Sequence, residues 1–197
     1  MNPRTLGGEE ARDARHQQAY EPHVAPLNMW AQSLRTEVRE VPLFDPADSG
    51  IHARALLLLE SPGPAVSRSG FISMDNPDGT AENMLRLIEE SHLDRHDLIL
   101  WNVVPWQMSR KGVVTPKPTH HAQARPTTRH LLTLLPDLQA VMLVGRHAQR
   151  AWTEIGSDLK RFEMPHPSPQ NFNTRPEARQ VALQALISLR HFLNPGK

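Results

Sequence analysis

Cysteine is absent from the 197 residues of this chain. Disulfide bonds, zinc sites built on thiolates and iron–sulfur clusters are therefore excluded. An excess of either charge is also lacking, because 22 Lys and Arg residues stand against 21 Asp and Glu residues, a formal net charge of +1. No field of the whole molecule attracts a polyanion, so any contact with nucleic acid has to come from a local cluster of cations.

Several signatures of known chemistry are missing as well. The chain has no glycine-rich phosphate loop and no Ser-His-Asp nucleophile signature. Its histidines include the adjacent pair His120 and His121, but no set of histidines and carboxylates has the spacing of metal ligands. We therefore expect neither a metal nor a cofactor. Residues 1–21 are polar and charged without an apolar segment, which favours an intracellular, cytoplasmic protein with no signal peptide and no membrane association.

The length suits a single domain with modest extensions. Residues 1–25 carry many charges and lack apolar periodicity over most of their length, so we predict a flexible or loosely docked N-terminal segment. Residues 26–197 form the predicted domain. We expect the protein to be a monomer.

Short apolar runs alternate with amphipathic stretches through the rest of the chain. Apolar runs at residues 55–60, 98–106 and 140–145 predict strands. A fourth short strand is expected at residues 160–164, directly before a Pro-His-Pro-Ser-Pro segment. Apolar residues at helical spacing predict helices over residues 26–39, 80–91, 120 or 126 to 135, 146–155 and 176–192. Strands that alternate with helices over this length indicate a three-layer α/β/α sandwich with a mainly parallel, four-stranded central sheet.

Polar residues follow three of the predicted strands. Glu60 and Ser61 open a Glu-Ser-Pro-Gly turn, Asn102 lies near the end of the second strand, and His166 follows the fourth in a His-Pro-Ser-Pro segment. The carboxyl ends of parallel strands meet at one edge of a sheet, where α/β proteins bind ligands. An amide buried without a partner costs about 1–3 kcal/mol, so Asn102 requires either a neighbouring backbone group or a ligand.

In this order the motifs resemble those of the uracil-DNA glycosylase superfamily. The resemblance extends over about residues 56–172 and rests on Leu-Leu-Leu-Glu-Ser-Pro-Gly, Leu-Trp-Asn-Val-Val, Val-Met-Leu-Val-Gly-Arg-His-Ala-Gln and His-Pro-Ser-Pro. It implies a uracil-DNA glycosylase-like domain that binds DNA, extrudes a deaminated base such as uracil and hydrolyses its N-glycosidic bond in DNA repair. The lack of cysteine sets aside the subfamily that carries an iron–sulfur cluster.

The resemblance also implies roles for individual residues. Asn102 corresponds to the base reader, since an amide offers an acceptor and donors that complement the N3–H and O4 of uracil. His166 corresponds to the donor that stabilises negative charge on the base oxygen, with a turn histidine bonded to a backbone carbonyl as the alternative. Phe71 corresponds to the aromatic platform under the base, with a core residue beneath the loop as the alternative.

One position departs from the pattern of the family. Better-known members carry Asp or Asn in the turn after the first strand, whereas this chain has Ser61. Glu60 offers a carboxylate one residue earlier, but adjacent side chains of an extended strand point to opposite faces, so both cannot face one pocket. Glu60, Ser61 and His166 are the catalytic candidates, with Asp75 and Asp78 in reserve. A base-binding protein that has lost catalysis is the alternative function.

Contacts with DNA are expected on the loops around the same edge. Gln170 stands where relatives insert an apolar wedge into the base stack, and Phe172 is its substitute. The other candidates are a hydroxyl beside the histidine and cations that can pair with phosphates, namely Ser168, Arg68, Arg110, Lys111, Arg146 and Arg175. A solvated surface is the alternative for each cation.

Overall fold

The apolar runs become strands and the amphipathic stretches become helices. The computed structural model describes residues 2–109 and 114–196. In chain order its elements are α1 (Glu9–Gln17), α2 (Ala25–Ser33), β1 (Leu43–Phe44), β2 (Ala55–Leu59), α3 (Val66–Ser69), β3 (Phe71–Ile72), α4 (Gly79–Glu90), β4 (Leu98–Asn102), α5 (Pro118–Thr133), β5 (Ala140–Val144), α6 (Arg146–Trp152), β6 (Lys160–Met164), α7 (Pro169–Thr174) and α8 (Pro176–Leu193). Short 3-10 helices lie at Thr5–Gly7, Gly50–His52 and Arg95–Asp97.

The central sheet has the strand order β4-β2-β5-β6, and every neighbouring pair is parallel. Leu59 pairs with Asn102, and Val144 pairs with Met164. The register between β2 and β5 places Leu59 beside Val144, so the last residues of the four strands fall in one row. The chain therefore leaves all four strands at the same side of the sheet, which we call the carboxyl edge.

Helices cover both faces of this sheet. The chain crosses from β2 to β4 in one direction along the sheet, and the next two connections run in the opposite direction. Because these crossovers are right-handed, α4 lies on one face of the sheet and α5 and α6 lie on the other. Contacts agree, because α8 packs on α4 and β6, while Arg129 of α5 donates to the carbonyl of Ile155, which follows α6. The predicted three-layer sandwich is confirmed. No helix in the described part of the chain is long and apolar enough to cross a membrane.

An aromatic stack fixes the orientation of β4. Trp101 lies against Phe44 of β1, with ring centroids 3.8 Å apart and ring planes inclined at 8°. Trp30 of α2 packs against Trp101 and against His130 of α5, with centroid distances of 5.7 Å. Trp101 therefore faces the α5 side of the sheet. Because side chains alternate along a strand, the next residue, Asn102, faces the α4 side.

A buried cluster of charges connects the segments that precede β2, α4 and β4. Arg95 is 8% exposed and donates hydrogen bonds to Asp48 at 2.7 Å and to Asp45 and Asp75 at 3.0 Å. Arg15 of α1 contacts Asp45 and Asp75 as well. Burial raises the pKa of Asp48 to about 7, and the charge of Arg95 opposes that shift. One guanidinium thus holds three carboxylates together.

Several element ends differ from the sequence-based expectations, most clearly those of α2 and β4. The helix predicted over 26–39 stops at Ser33, because the backbones of Thr36 and Arg39 hydrogen-bond to each other in a tight turn. The strand predicted over 98–106 stops at Asn102, level with the end of its neighbour β2. Both changes shorten an element without altering the order of the layers.

Replacing Arg95 with Met tests the buried charge cluster. The change leaves three carboxylates close together without their shared cation, so the free energy of unfolding at pH 7 should fall by about 3–5 kcal/mol, measured by urea denaturation. Arg86→Met is the matched control, since it removes an exposed ion pair with Glu82 and should cost no more than about 1 kcal/mol. Equal stabilities of the two variants would show that the cluster contributes little.

Candidate functional site

Asn102 lies at the carboxyl edge and is 2% exposed. The backbone ladder continues past it, because the N–H groups of Val103 and Val104 donate to the carbonyls of Leu59 and Glu60 at 2.8 and 2.9 Å. Within residues 2–109 and 114–196, no group hydrogen-bonds with the side-chain amide of Asn102. Of the two partners that the sequence left open, the neighbouring backbone does not supply one, so the amide is available to a ligand.

His166 reaches the same edge from the other end of the sheet. It follows β6 by two residues and lies over the end of β5, where a Cβ atom on Gly145 would come within 3.0 Å of its own Cβ. Gly145 has φ +85° and its N–H donates to the carbonyl of Met164 at 2.8 Å. β5 and β4 are two strand spacings apart, about 10 Å. His166 and Asn102 therefore stand on either side of the end of β2.

Side chains from two helices hold the segment that carries His166. Asn83 of α4 donates to the carbonyl of Pro167 at 2.9 Å, and Asn171 of α7 donates to the carbonyl of His166 at 2.9 Å. Ser168 caps α7, since its hydroxyl accepts from the N–H of Asn171 at 3.3 Å. Sequence reasoning missed both asparagines, because neither lies in the motif that it singled out.

The electrostatic surroundings of His166 favour a neutral imidazole. Burial lowers the pKa of His166, the nearby His147 acts in the same direction, and the charge of Asp78 opposes them. No backbone carbonyl in the described part of the chain accepts a hydrogen bond from the ring of His166. The structure thus provides no carbonyl partner of the kind that the turn-histidine alternative requires, and the ring can donate to a ligand.

Glu60 points away from Asn102. Its Oε1 lies 3.2 Å from Nδ1 of His147 and 3.6 Å from Nε2 of His121, which belong to α6 and α5. Burial raises the pKa of Glu60, while His147 opposes the shift. Glu60 is therefore directed to the α5 side of the sheet and Asn102 to the α4 side. Ser61 follows in the turn and is partly buried.

Phe71 is fully buried in β3, which pairs with β1. The ring of His16 from α1 packs against it, with centroids 4.5 Å apart and planes inclined at 40°. The carbonyl of Phe71 accepts a hydrogen bond from Asn76 at 2.9 Å. Stacking of a base on Phe71 requires an exposed ring face, and this packing leaves none exposed. The role of Phe71 stays a prediction.

The predicted DNA-binding side chains are spread over loops and helix ends that adjoin the carboxyl edge. Three cations are exposed and form no ion pair with any described residue: Arg68 of α3, Arg146 of α6 and Arg175 between α7 and α8. Gln170 is exposed, whereas Phe172 is partly buried and lines an open cavity of about 400 Å³ between α4 and α7. Arg110 and Lys111 lie outside the described residues.

No group of three or more His, Asp or Glu side chains within the described ranges is arranged to hold a metal ion. Sequence reasoning overlooked His147, which sits in the first turn after β5 beside Glu60. One signal was present, since the third strand also delivers a titratable residue to the carboxyl edge. Its side-chain contact with Glu60 depends on how α6 packs, which spacing along the chain does not reveal.

The close approach of His166 to Gly145 predicts that Gly145→Ala displaces the imidazole. A side chain there adds a clash to the strain of a positive φ, so unfolding should become easier by about 1–3 kcal/mol. An NMR titration of the ring should report a shifted pKa for His166. Gly156→Ala is the matched control, because Gly156 has φ +70° and open space around it. Equal effects of the two changes on His166 would contradict the close packing.

Comparison with known proteins identifies the family of the chain. A family model described as the uracil DNA glycosylase superfamily matches residues 46–187, which is most of the chain. Among solved structures, the chain is similar to the crystal structure of wild-type UNG from Nitratifractor salsuginis, with 15% identity, a TM-score of 0.47 and coverage of 94% of this chain and 98% of that one. No curated protein matches. By the family match, the chain belongs to the uracil DNA glycosylase superfamily.

Proposed function

We propose that the protein is a DNA glycosylase that extrudes a deaminated base, uracil being the best fit, and hydrolyses its N-glycosidic bond. The observation that carries this proposal is the amide of Asn102, which has no hydrogen-bond partner among the described residues and is buried at the carboxyl edge that also holds His166. Family membership supports a glycosylase-like function and a DNA partner. The choice of base rests on the chemistry of the side chains.

Asn102 supplies the selectivity. Its carbonyl oxygen can accept from the N3–H of uracil while its NH₂ group donates to O4. Cytosine presents an acceptor at N3 and an amino group at position 4, so it mismatches both groups. A buried amide left with mismatched partners costs about 1–3 kcal/mol, which corresponds to roughly a tenfold to hundredfold preference for uracil.

His166 supplies stabilisation of the leaving base. The electron pair of the N-glycosidic bond departs with the base, and negative charge develops on its ring oxygens. A neutral imidazole N–H aimed at one oxygen stabilises that charge without itself requiring a proton from solvent. The burial that lowers the pKa of His166 keeps the ring in this neutral form at pH 7.

DNA has to be bent and opened for the base to reach this site, and the exposed cations around the edge suit its phosphates. Arg68, Arg146 and Arg175 have no carboxylate partner among the described residues. Guanidinium groups that are not already paired bind phosphate without first breaking an ion pair. Phe172 and Gln170 follow the histidine segment, and we assign to them the filling of the vacated stack.

A DNA-binding protein without catalysis is the second candidate, and Ser61 favours it. Serine does not accept a proton from water at neutral pH. Single- and double-stranded DNA containing uracil, hypoxanthine or xanthine separates the candidates. Release of free base supports the glycosylase, whereas tight binding without release supports the alternative. Neither binding nor release would contradict both.

The Asn102→Ala variant should bind and cleave uracil-containing DNA roughly tenfold to hundredfold less efficiently, since the hydrogen bonds to the base are lost. The measurement is kcat/KM together with the Kd for DNA that carries an uncleavable uracil nucleotide. Gln184→Ala on the exposed side of α8 serves as the control and should leave both values unchanged. Unaltered kcat/KM in the Asn102 variant would remove Asn102 from base recognition.

The His166→Ala variant should lose about 10²–10³-fold in kcat while KM changes little, because the histidine acts on charge that develops only in the transition state. Single-turnover rates of base release measure the effect. Thermal unfolding of the same sample checks that the segment held by Asn83 and Asn171 is still folded. A raised KM with kcat preserved would instead assign His166 to binding of the substrate in the ground state.

A further inference from the structure

A second titratable cluster lies at the carboxyl edge, apart from Asn102 and His166. Glu60 stands between two imidazoles, with Oε1 at 3.2 Å from Nδ1 of His147 and at 3.6 Å from Nε2 of His121. The three residues come from the end of β2, the first turn of α6 and the first turns of α5. Segments far apart in sequence thus converge on one carboxylate.

Not all polar atoms of this cluster are hydrogen-bonded within the described part of the chain. Oε1 of Glu60 and Nε2 of His121 are buried and have no hydrogen-bond partner among the described residues. The contact between Glu60 and His147 has the distance of an ion pair without the alignment of a hydrogen bond. Catalytic hydrogen bonds are often poorly aligned before substrate binds. Burial raises the pKa of Glu60, and it lowers the pKa of His121, with His147 and His120 adding to the second effect.

His147 is the exposed member of the cluster. Half of its side chain is accessible to solvent, against about a fifth for Glu60 and His121. Its Nδ1 faces the carboxylate, so Nε2 is the nitrogen left for other partners. A carboxylate beside one ring nitrogen fixes the tautomer with the proton on that nitrogen and makes the other nitrogen a better base.

The proposed reaction needs such a base. Water that attacks the sugar must lose a proton, and the hydroxyl of Ser61 in the turn after β2 does not accept one at neutral pH. We propose that His147, oriented by Glu60, accepts the proton of the attacking water, and that His121 holds Glu60 in place. This inference rests on the proposed glycosylase function. His147 is then a catalytic residue, and Glu60 and His121 are positioning residues.

Hydrolysis breaks one bond at the sugar carbon C1′ and forms another. The bond between C1′ and the base nitrogen breaks, and its electron pair leaves with the base, which His166 stabilises. The water oxygen forms a bond to C1′, and the proton of that water moves to Nε2 of His147. The released base anion takes a proton from solvent, and His147 returns its proton to solvent before the next turnover. No oxidant, reductant or co-reactant besides water is required.

The position of the cluster suits the geometry of an extruded nucleotide. Asn102 faces the α4 side of the sheet and Glu60 the α5 side, so a nucleotide over the end of β2 would have its base on one side and its sugar near the other. His147 is close enough to His166 to influence its titration. In this proposal His147 acts on the water and His166 on the leaving base, on opposite sides of the sugar.

The test compares His147→Gln and Glu60→Gln with the wild-type protein by single-turnover base release from uracil-containing DNA across pH 5 to 9. Proton acceptance by a general base contributes about 10²-fold or more, so kcat should fall by that factor in both variants. The Kd for DNA with an uncleavable uracil nucleotide should stay within about threefold of wild type. The pH profile of kcat, to which Glu60, His121 and His166 also contribute, should change shape in His147→Gln.

Two further variants sharpen the result. His52→Gln is the matched control, because His52 also lies near a carboxylate, at 3.4 Å from Asp137, but precedes β2 at the opposite edge of the sheet, and it should leave kcat and the pH profile unchanged. His147→Ala should recover part of the lost rate when free imidazole is added. Recovery would identify proton transfer, which a purely structural role for His147 does not predict.

The outcomes separate this inference from the proposed function. If the wild-type protein releases base and His147→Gln keeps its rate and pH profile, the role of His147 is overturned while the glycosylase function stands. If Glu60→Gln loses activity but His147→Gln does not, the carboxylate acts alone and the inference is also wrong. If the wild-type protein releases no base from any deaminated substrate, both the proposed function and this inference fail.

Discussion

The parallel register of the central sheet is the constraint on which the rest of the structure depends. The four strands end in one row, so residues that follow them in sequence meet at a single edge. Asn102, Glu60, His147 and His166 come from four different strand ends and share no local sequence context. Backbone hydrogen bonds between strands, rather than contacts among the side chains themselves, bring them together. This edge is where open α/β sheets bind ligands.

The approach of the histidine segment to that edge depends on small residues. Gly145 and Gly79 leave room where a Cβ would meet His166 and Pro169. Two side-chain amides then hold the segment by its carbonyl groups. Among the residues that the structure describes, none hydrogen-bonds with the imidazole of His166. Burial lowers the pKa of His166 and so favours the neutral ring. The amide of Asn102 in β4 carries no charge. The site therefore offers uncharged hydrogen-bond donors and an acceptor at the carboxyl edge.

Sequence patterns predicted the four strands of the central sheet but not β1 and β3. Three of the four are apolar runs bounded by turns, which are local signals. The layer order followed from the alternation of strands and helices. The surroundings of individual side chains did not follow. Glu60 turns toward α5 and α6 because His121 and His147 lie there, and Phe71 lies under His16 because α1 folds back over β3. Contacts of this kind join residues separated by tens of positions and leave no trace in spacing.

A structure of the protein bound to DNA with an uncleavable uracil nucleotide is the most direct measurement of the central claim. We expect the uracil to be out of the helix and between Asn102 and His166, with the amide of Asn102 hydrogen-bonded to N3–H and O4 and the imidazole within hydrogen-bond distance of a base oxygen. A base that stays stacked in the duplex, or that occupies a different part of the protein while Asn102 remains without a partner, would contradict the claim.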